Sequence, residues 1–393
     1  MKEKLLVFAS TFPRWKNDIL PPFVYELSKR LTNDFEVYVL APSFPGAKNF
    51  EEMEGIKVYH FHYFIKKYEK LAGSGGILPM LKKNPLYYFQ VPFFLLGEYF
   101  ALKRAIKTIK PKVIHAHWII PQGWICSLMH NKYNIPYIVT THGGDIFGLQ
   151  GKFLTNLKRK TLQKAKSITV VSNAIKKEIL EKIDSNLKIK VISMGVDSKL
   201  FNPSKRDLSI KKKYNIEGPF LLFVGRLAEK KGVKYLLDAM PKVLKKNPKT
   251  KLMIIGTGPL ENELKERTIN LGINKNVIFM GAIQNKELPR YYATADVFIG
   301  PSITAKGGDT EGFGLTFVEA GMSGCWLIGS DVGGISDIIK DGKNGFLVKE
   351  KDSKDIAEKI IKSLKIKNKK IQSKILNKFD WKVISKKYAE VLR

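Results

Sequence analysis

The chain has 393 residues, more than one hydrophobic core usually supports, so we expect two domains. Its 44% hydrophobic and 26% charged residues are typical of globular proteins and exclude a largely disordered chain. The formal charge of +32 indicates a phosphate-bearing partner (nucleic acid, anionic lipid or nucleotide), or else a lysine-rich composition without a function of its own.

Cysteine usage and apolar segments suggest the compartment. Cys126 and Cys325 lie far apart with no CxxC or Cys/His cluster, so neither a disulfide framework nor structural zinc is expected. A reducing, cytoplasmic setting follows. No segment reaches the roughly 20 apolar residues of a membrane span, and residues 4–10 predict a first strand rather than a secretory signal.

Apolar runs alternate with helical patterns through the first half of the chain. Continuous apolar strands separated by helices are typical of parallel sheets covered on both faces. The predicted strands are KLLVFAS (4–10), EVYVLAP (36–42), KVYHFHYF (57–64), KVIHAHW (112–118), PYIVTTHG (136–143), SITVVS (167–172) and KIKVISMGV (188–196). Helices are predicted near 22–32, 86–109, 121–131, 153–166 and 173–183.

The pattern pauses at 201–203 and resumes at residue 220. Later strands are predicted at FLLFVGRL (220–227), KLMIIGTG (251–258), NVIFMG (276–281), DVFIGPS (296–302), CWLIGSD (325–331) and GFLV (345–348). The sequence thus predicts two doubly wound α/β halves. The predicted parts are a domain over 1–200, a hinge or linker over 201–218, a second domain over 219–375, and a C-terminal helical segment over 376–393 that packs back across the hinge.

The most apolar segment, LYYFQVPFFLLGEYFAL (86–102), is interrupted by Gln90, Pro92 and Glu98. Basic residues flank it on both sides, which suits the surface of a membrane rather than its interior. A large core helix fits the pattern equally well, because amphipathicity alone does not separate the two. The flanking residues are Lys82, Lys83, Lys103, Arg104 and Lys107.

The segment from Gly307 to Glu319, GGDTEGFGLTFVE, combines glycines and acids with a predicted helix start near Leu315. Glycines let backbone N–H groups approach a ligand closely, and a helix N-terminus favours phosphate. Helical side chains lean toward the N-terminus, so Glu319 can reach the same ligand and hold two ribose hydroxyls. Glu311 can meet polar groups at the other end of the ligand. The alternative is a helix-capping role for Glu311 and a solvated helix face for Glu319.

A second group follows the predicted strand 220–227, where Gly225 and Arg226 precede a short loop with Lys231. Arginine supplies a rigid fork and lysine a mobile point charge, and both favour phosphate oxygens. The pattern predicts a diphosphate clamp, whereas the adjacent Lys230 is expected to be an ordinary solvated lysine. Gly258 follows the next strand, and ligands of open α/β sheets bind beyond the carboxyl ends of strands.

These motifs together resemble family 4 of the retaining glycosyltransferases, which have the two-domain GT-B fold. The resemblance is carried by FVGRLAEKKG, by EGFGLTFVEA with its two glutamates, by MGVD and FNP between 194 and 203, and by DVGGISDIIKDGKNGFLV (331–348). KVIHAHWIIPQG followed by TTHGGDI is similar to the N-terminal half of bacterial and archaeal members that build polysaccharide or lipid-linked glycans. The resemblance implies two Rossmann-like domains facing across a cleft.

The resemblance also implies the roles of individual residues. The donor is a nucleotide-diphosphate sugar, UDP- or GDP-linked, which is a substrate, and no cofactor is expected. Arg226 and Lys231 would neutralise the leaving diphosphate, and Glu319 would bind the ribose. Glu311 and His142 would contact the donor sugar. The other implied donor-binding positions are Gly225, Gly258, Gly312, Phe313, Gly314 and Leu315.

The implied reaction retains the anomeric configuration, and no carboxylate of the chain is an obvious nucleophile. Same-face displacement is therefore expected, with the leaving phosphate helping to take the acceptor proton and positive charge stabilising the leaving group. GT-B enzymes need no metal, and none is expected here. A glycan or lipid-linked acceptor would bind the N-terminal domain, whose basic, aromatic segment 63–110 predicts peripheral attachment to an anionic inner membrane face.

The sequence departs from the family pattern in two places. TFPRWKNDILPPF (11–23) offers prolines where many members carry a glycine-rich loop, which leaves Arg14 and Lys16 as candidates for an N-terminal phosphate contact. Ser336 and Asp337 replace the usual Pro-Glu after Gly-Gly-Ile.

Two histidines, His115 and His117, flank Ala116 in the predicted strand 112–118. We expect them to point to opposite faces of the sheet. One would then be packed in the core, while His117, nearer the strand end, could reach the acceptor.

Two other functions remain open from the sequence. A GT-B epimerase or phosphorylase is the first, although the cofactor-lysine motif of a phosphorylase is absent, and an epimerase would release its product without an acceptor. The second is a non-catalytic basic protein that binds RNA or anionic membranes. Nucleic acid is not expected, because RNA recognition motifs, KH loops and zinc knuckles are absent.

Overall fold

The chain folds into two compact units, each built around one mainly parallel sheet. The structure is a computed structural model and describes residues 2–16, 18, 23–73, 76–366 and 373–393. The first unit comprises Met1–Met194 with Ile384–Arg393, and the second comprises Gly195–Val383.

The sheet of the first unit has the strand order β3-β4-β2-β1-β5-β6-β7-β8. All neighbours pair in parallel except β3 and β4, which are antiparallel. The strands are β1 (Glu3–Phe8), β2 (Phe35–Pro42), β3 (Phe50–Met53), β4 (Ile56–Phe61), β5 (Val113–His117), β6 (Tyr137–Thr141), β7 (Ser167–Val170) and β8 (Ile189–Val191). The edge strand β3 has no counterpart in the sequence prediction, because its FEEM pattern is short and half of its residues are acidic.

Helices cover the strands of the first unit. They are α1 (Phe23–Leu31), α2 (Ile77–Lys83), α3 (Val91–Ile109), α4 (Trp124–Tyr133), α5 (Gly144–Phe147), α6 (Lys152–Gln163) and α7 (Asn173–Lys182). Part of the proline-rich segment 11–23, namely residues 17 and 19–22, lies outside the described residues. Within the described parts of the chain, no helix is both long and apolar enough to cross a membrane.

The second unit has a six-stranded parallel sheet in the order β11-β10-β9-β12-β13-β14. This is the doubly wound order of nucleotide-binding folds, in which the strand order reverses between β9 and β12. The strands are β9 (Phe220–Val224), β10 (Lys251–Ile255), β11 (Val277–Phe279), β12 (Val297–Gly300), β13 (Trp326–Ser330) and β14 (Gly345–Val348). The helices are α8 (Leu208–Lys213), α9 (Val233–Lys246), α10 (Glu261–Asn270), α11 (Leu288–Thr294), α12 (Leu315–Met322), α13 (Ile335–Ile338), α14 (Ser353–Leu364), α15 (Ser373–Leu376) and α16 (Trp381–Leu392), which begins here and ends in the first unit.

The core of the second unit forms because its strands are apolar on both faces and its helices on one. All five residues of β9 are buried. Helix α9 buries Val233, Leu236, Leu237 and Met240, a spacing that places them on one helical face. This face packs in the same cluster as Ile356 and its neighbours on α14.

The segment predicted as a hinge or linker, 201–218, lies within the second unit. It contains helix α8, whose Ile210 is buried. The N–H of Asp207 donates to the Thr294 hydroxyl at 2.9 Å, which attaches this segment to α11. These contacts explain why the segment packs as part of the domain.

Candidate nucleotide-sugar site

The loops that follow β9 and β12 are joined through their backbones. Gly232 adopts a φ of +62°, and a Cβ there would lie 1.9 Å from the carbonyl oxygen of Pro301. The N–H of Ile303 donates to the carbonyl of Lys230 at 2.8 Å. Only glycine allows so close an approach. The two loops therefore meet where the strand order reverses, the position at which α/β sheets bind ligands.

Lys231 and Glu311 form an ion pair between these loops. The Lys231 ammonium donates to Glu311 Oε2 at 2.5 Å, with both side chains largely buried. Burial alone would raise the pKa of the Glu311 carboxyl, but the charges of Lys231 and Lys230 and the hydrogen bond hold this pKa below its ordinary value. Because an ammonium has three N–H donors, Lys231 retains the capacity to bind a ligand oxygen as well.

Glu319 lies one turn into helix α12, which begins at Leu315 as the sequence predicts. Its Oε2 accepts a hydrogen bond of 2.9 Å from the hydroxyl of the fully buried Tyr292. Burial raises the pKa of Glu319 to about 7, although the Tyr292 hydrogen bond acts in the opposite direction. The carboxyl is thus poised to ionise when a ligand supplies further hydrogen bonds.

The turn before α12 presents backbone rather than side chains. Gly314 has a φ of +95°, which a residue with a Cβ rarely adopts. The Phe313 side chain is buried, with its ring centroid 5.3 Å from that of Phe379. This turn is therefore suited to meet a ligand through its backbone. The groups concerned are the backbone of Gly312, Phe313 and Gly314 and the first N–H of α12 at Leu315.

Gly333 supports the backbone of Glu311 from the opposite side. It has a φ of +55°, and a Cβ there would lie 1.9 Å from the Glu311 carbonyl oxygen. The N–H of Gly334 donates to that same carbonyl at 3.1 Å. The glycine pair at 333–334 thus fixes the loop that carries Glu311.

Arg226 is exposed immediately after Gly225 at the end of β9. Among the described residues, none forms an ion pair with its guanidinium, so its fork is open to an anionic ligand.

Gly258, in the loop after β10, has a role in packing. A Cβ there would lie 2.3 Å from the Leu227 carbonyl oxygen, so this glycine lets the β10 loop pack against the β9 loop.

His142 belongs to the first unit and follows strand β6. Its Nε2 lies 2.9 Å from Nδ1 of the buried His117. The prediction that His115 and His117 point to opposite faces was wrong, since their ring centroids are 4.2 Å apart. Alternate residues of a strand share a face, so residues 115 and 117 lie on the same side of the sheet.

The N-terminal candidates Arg14 and Lys16 differ in their surroundings. Arg14 is buried and donates to Asp18 from Nε at 2.7 Å and from Nη2 at 2.6 Å. Its guanidinium also lies 4.6 Å from the ring centroid of Trp15. Since this fork is occupied by Asp18, the exposed Lys16 is the more accessible of the two cations.

Comparison with known proteins identifies the family. Residues 22–200 match the family described as Glycosyltransferase Family 4, and residues 205–377 match the family described as Glycosyl transferases group 1. The chain is a GT-B glycosyltransferase of the family 4 type.

Individual relatives agree with this assignment. The glycosyltransferase is 26% identical over 353 residues to a GDP-mannose-dependent alpha-(1-6)-phosphatidylinositol monomannoside mannosyltransferase of Mycolicibacterium smegmatis, covering 88% of this chain and 85% of that protein. Its fold is similar to that of a sucrose-phosphate synthase from Thermosynechococcus elongatus, with a TM-score of 0.78, 18% identity, and coverage of 99% and 98% of the two chains. The Anabaena protein HepE in complex with UDP gives a TM-score of 0.73, 19% identity, and coverage of 100% and 99%.

Several contacts of the site were not evident from the sequence. Tyr292 lies in YYATADVF, where nothing distinguishes it from a core aromatic residue, and its partner Glu319 is 27 positions away. Gly333 belongs to the motif at 331–348, but its contact with Glu311 is evident only once the chain is folded. Within the described residues, no group of three His, Cys, Asp or Glu side chains could hold a metal ion.

Helix α3 buries one face and exposes apolar side chains on another. Phe94, Glu98 and Leu102 are buried, whereas Phe100 on the other face is 58% exposed and Phe89, in the turn before α3, is 70% exposed. The sequence left open whether segment 86–102 is a core helix or a surface segment. The structure gives it both a buried core face and an exposed apolar face. The exposed apolar residues of α3 and of the turn at 85–90 that precedes it are Leu86, Tyr88, Phe89, Phe93, Leu96 and Phe100. We call this the α3 outer face.

We predict that donor affinity depends on the ionisation of Glu319. If ribose hydroxyls donate to the ionised carboxylate, affinity for a nucleotide sugar should be full above about pH 7 and should fall as the pH decreases below it. Calorimetric titration with an intact nucleotide sugar measures this, because the donor lacks the terminal phosphate whose second pKa is about 6.

Two variants sharpen the pH test. Tyr292→Phe removes the hydrogen bond that holds the pKa of Glu319 down, so the affinity loss should move to higher pH. Glu319→Gln should bind more weakly and without this pH dependence. A wild-type affinity that is constant through the same range would show that Glu319 does not hold the ribose as a carboxylate.

We also predict that Gly333→Ala displaces the Glu311 loop and lowers nucleotide affinity about tenfold or more, because its Cβ would overlap the Glu311 carbonyl. Gly342→Ala is the matched control. Gly342 has a φ of +72°, but a Cβ there would meet no other group within 4 Å, so alanine adds only left-handed strain of about 1–2 kcal/mol. Calorimetry with UDP and GDP compares the variants, and equal affinities would contradict the role of Gly333.

Proposed function

We propose that this glycosyltransferase moves a hexose-type sugar from a UDP- or GDP-linked donor to a glycan or lipid-linked acceptor, with retention of the anomeric configuration. The observation that carries the proposal is the set of groups around the strand-order reversal of the second unit. There an exposed arginine and a lysine–glutamate pair lie on neighbouring loops, and α12 supplies a helix N-terminus and a second glutamate. The acceptor side of the proposal is supported by the lipid substrate named for the Mycolicibacterium relative.

Each group has a defined task in the proposed mechanism. Arg226 and Lys231 bind the diphosphate, and Glu319 accepts hydrogen bonds from the ribose. Glu311, fixed by Lys231 and Gly333, accepts a hydrogen bond from a donor-sugar hydroxyl. The backbone around Gly314 donates to sugar or phosphate oxygens, since N–H groups at a helix start are free of intrahelical partners.

The proposed chemistry is a same-face displacement. The bond between the anomeric carbon and the leaving phosphate oxygen breaks while the acceptor oxygen bonds to that carbon from the same face. The acceptor proton passes to the leaving phosphate oxygen, so no protein nucleophile is required. Arg226 and Lys231 act mainly on the rate, because the charge on the leaving diphosphate grows toward the transition state.

Product analysis tests this proposal directly. The intact protein is incubated with UDP- and GDP-sugars and a lipid-linked acceptor in EDTA, and the linkage formed is examined by NMR. The proposal expects a glycosidic product with the donor's anomeric configuration and no need for divalent metal. An inverted product, release of an isomerised nucleotide sugar, or complete and reversible loss of activity in EDTA would overturn the corresponding part.

We predict that Lys231→Ala lowers kcat about 100-fold with a smaller effect on the donor KM, as expected for a group that stabilises the leaving charge. Lys230→Ala is the matched control, because Lys230 is adjacent and pairs with Asp309 at 3.2 Å rather than with Glu311. A partly exposed pair of that kind contributes only about 0–1 kcal/mol. Steady-state kinetics of both variants checks this, and an unchanged kcat in Lys231→Ala would contradict the assigned role.

We further propose that the α3 outer face docks on an anionic membrane and brings a lipid-linked acceptor to the enzyme. The only acids of segment 63–110, Glu69 and Glu98, are buried, so its exposed charge is entirely positive. Phe89, Phe93, Leu96 and Phe100 recur at helical spacing and are all exposed. Each Lys or Arg near an anionic surface contributes about 1 kcal/mol, so a few suffice for reversible docking.

Liposome flotation checks this docking. Binding should rise with anionic lipid, fall with salt, and weaken when Lys82, Lys83, Lys103 and Arg104 are changed to Ser. The control changes the exposed Lys212, Lys213, Lys245 and Lys246 to Ser, which removes the same charge from the second unit and should leave flotation nearly intact. Equal losses in both variants, or no wild-type binding to acidic vesicles at low salt, would contradict docking through this face.

A further inference from the structure

His142 is held on several sides by groups of the first unit. Its ring lies 4.9 Å from Phe23 and 5.0 Å from Trp118, measured between centroids. Its Nε2 is 2.9 Å from His117 Nδ1, and the two imidazoles are nearly parallel, with 16° between their planes. Two rings and one hydrogen bond therefore determine where the other nitrogen of His142, Nδ1, is presented.

Burial favours the neutral form of both histidines of this pair. Burial, and then the neighbouring His115, lower the pKa of His142 to about 3. Burial also lowers the pKa of His117 well below its ordinary value. Each ring thus carries one proton, and the bond between them holds one of these two protons. Whichever ring donates, the position of the proton on His142 is set by the position of the proton on His117.

The surroundings of His117 favour one of the two arrangements. His117 Nε2 is buried and has no hydrogen-bond partner among the described residues. If His142 donated, the proton of His117 would be on this nitrogen, as a buried N–H without an acceptor. Orphaned buried N–H groups are rarer than under-satisfied acceptors. The favoured arrangement therefore places the His117 proton on Nδ1, in the shared bond.

We propose that His117 is a positioning residue that donates its Nδ1–H to His142 Nε2 and thereby makes His142 Nδ1 an N–H donor. This inference rests on the proposed function and adds to it that His142 contacts a sugar substrate. Within the described part of the chain, His142 Nδ1 has no hydrogen-bond partner and the side chain is only half-buried, so this nitrogen is open to a ligand. The chemistry it recognises is an oxygen lone pair of a sugar hydroxyl or a phosphate. It follows that His142 does not act as a general base through Nδ1.

The tautomers can be measured without any activity. The intact protein is labelled with 15N-histidine, and long-range proton–nitrogen NMR spectra distinguish Nδ1–H from Nε2–H rings. The proposal expects the Nδ1–H tautomer for both His117 and His142 in the wild type. An Nε2–H tautomer on His142 would overturn it, whereas absence of glycosyl transfer with the expected tautomers would count against the proposed function alone.

Variants test whether His117 controls His142. His117→Leu should change the tautomer balance of His142 and lower kcat about tenfold, while His117→Asn, which keeps an N–H donor, should largely restore both. His115→Leu is the matched control. His115 is also buried in β5, but it bonds to the Thr140 hydroxyl at 2.7 Å and not to His142. A His142 spectrum that responds equally to His115→Leu and His117→Leu would show that His117 acts only through core packing.

Discussion

The contact between Lys231 and Glu311 joins the two loops on which the candidate nucleotide site is built. Both side chains are largely buried, so loss of either partner would leave the other charge poorly compensated. The contact depends on glycines with left-handed backbone, since Gly232 meets Pro301 and Gly333 meets Glu311 itself. Ordinary side chains at these positions would separate the loops. The charge arrangement of the site is therefore a consequence of backbone packing at the reversal point of the sheet.

Two glutamates of one short segment have opposite properties because their surroundings differ. Glu311 has lysines beside it, and its pKa lies below the ordinary value. Glu319 is half-buried next to a tyrosine hydroxyl, and desolvation raises its pKa to about 7. An ionised acid paired with a cation suits a fixed contact to a sugar hydroxyl. An acid close to its midpoint responds to ligand binding, because hydrogen bonds from the ligand favour its ionised form.

The sequence predicted the parts of the site that depend on local pattern. Arg226 and Lys231 follow an apolar strand, Glu319 falls one turn into a helix, and the carboxyl ends of parallel strands meet at one edge of a sheet. The sequence could not predict contacts between distant segments, such as those of Tyr292 with Glu319 and of Gly333 with Glu311. The exposure of Phe93 and Phe100 could not be predicted from amphipathicity, because α3 carries apolar residues on its exposed face as well as on its buried face. The error at His117 had a different origin, since strand periodicity places it beside His115.

The central claim is that the second unit binds a nucleoside diphosphate through Arg226, Lys231 and Glu319. Isothermal titration of the intact protein with UDP and GDP, in EDTA above about pH 7, tests this most directly. We predict one-site binding of at least one of them, weakened about tenfold or more by Arg226→Ala and by Glu319→Ala, which is a loss of about 1.4 kcal/mol or more for each variant. Failure of the wild type to bind either nucleotide, or equal binding by wild type and both variants, would contradict it.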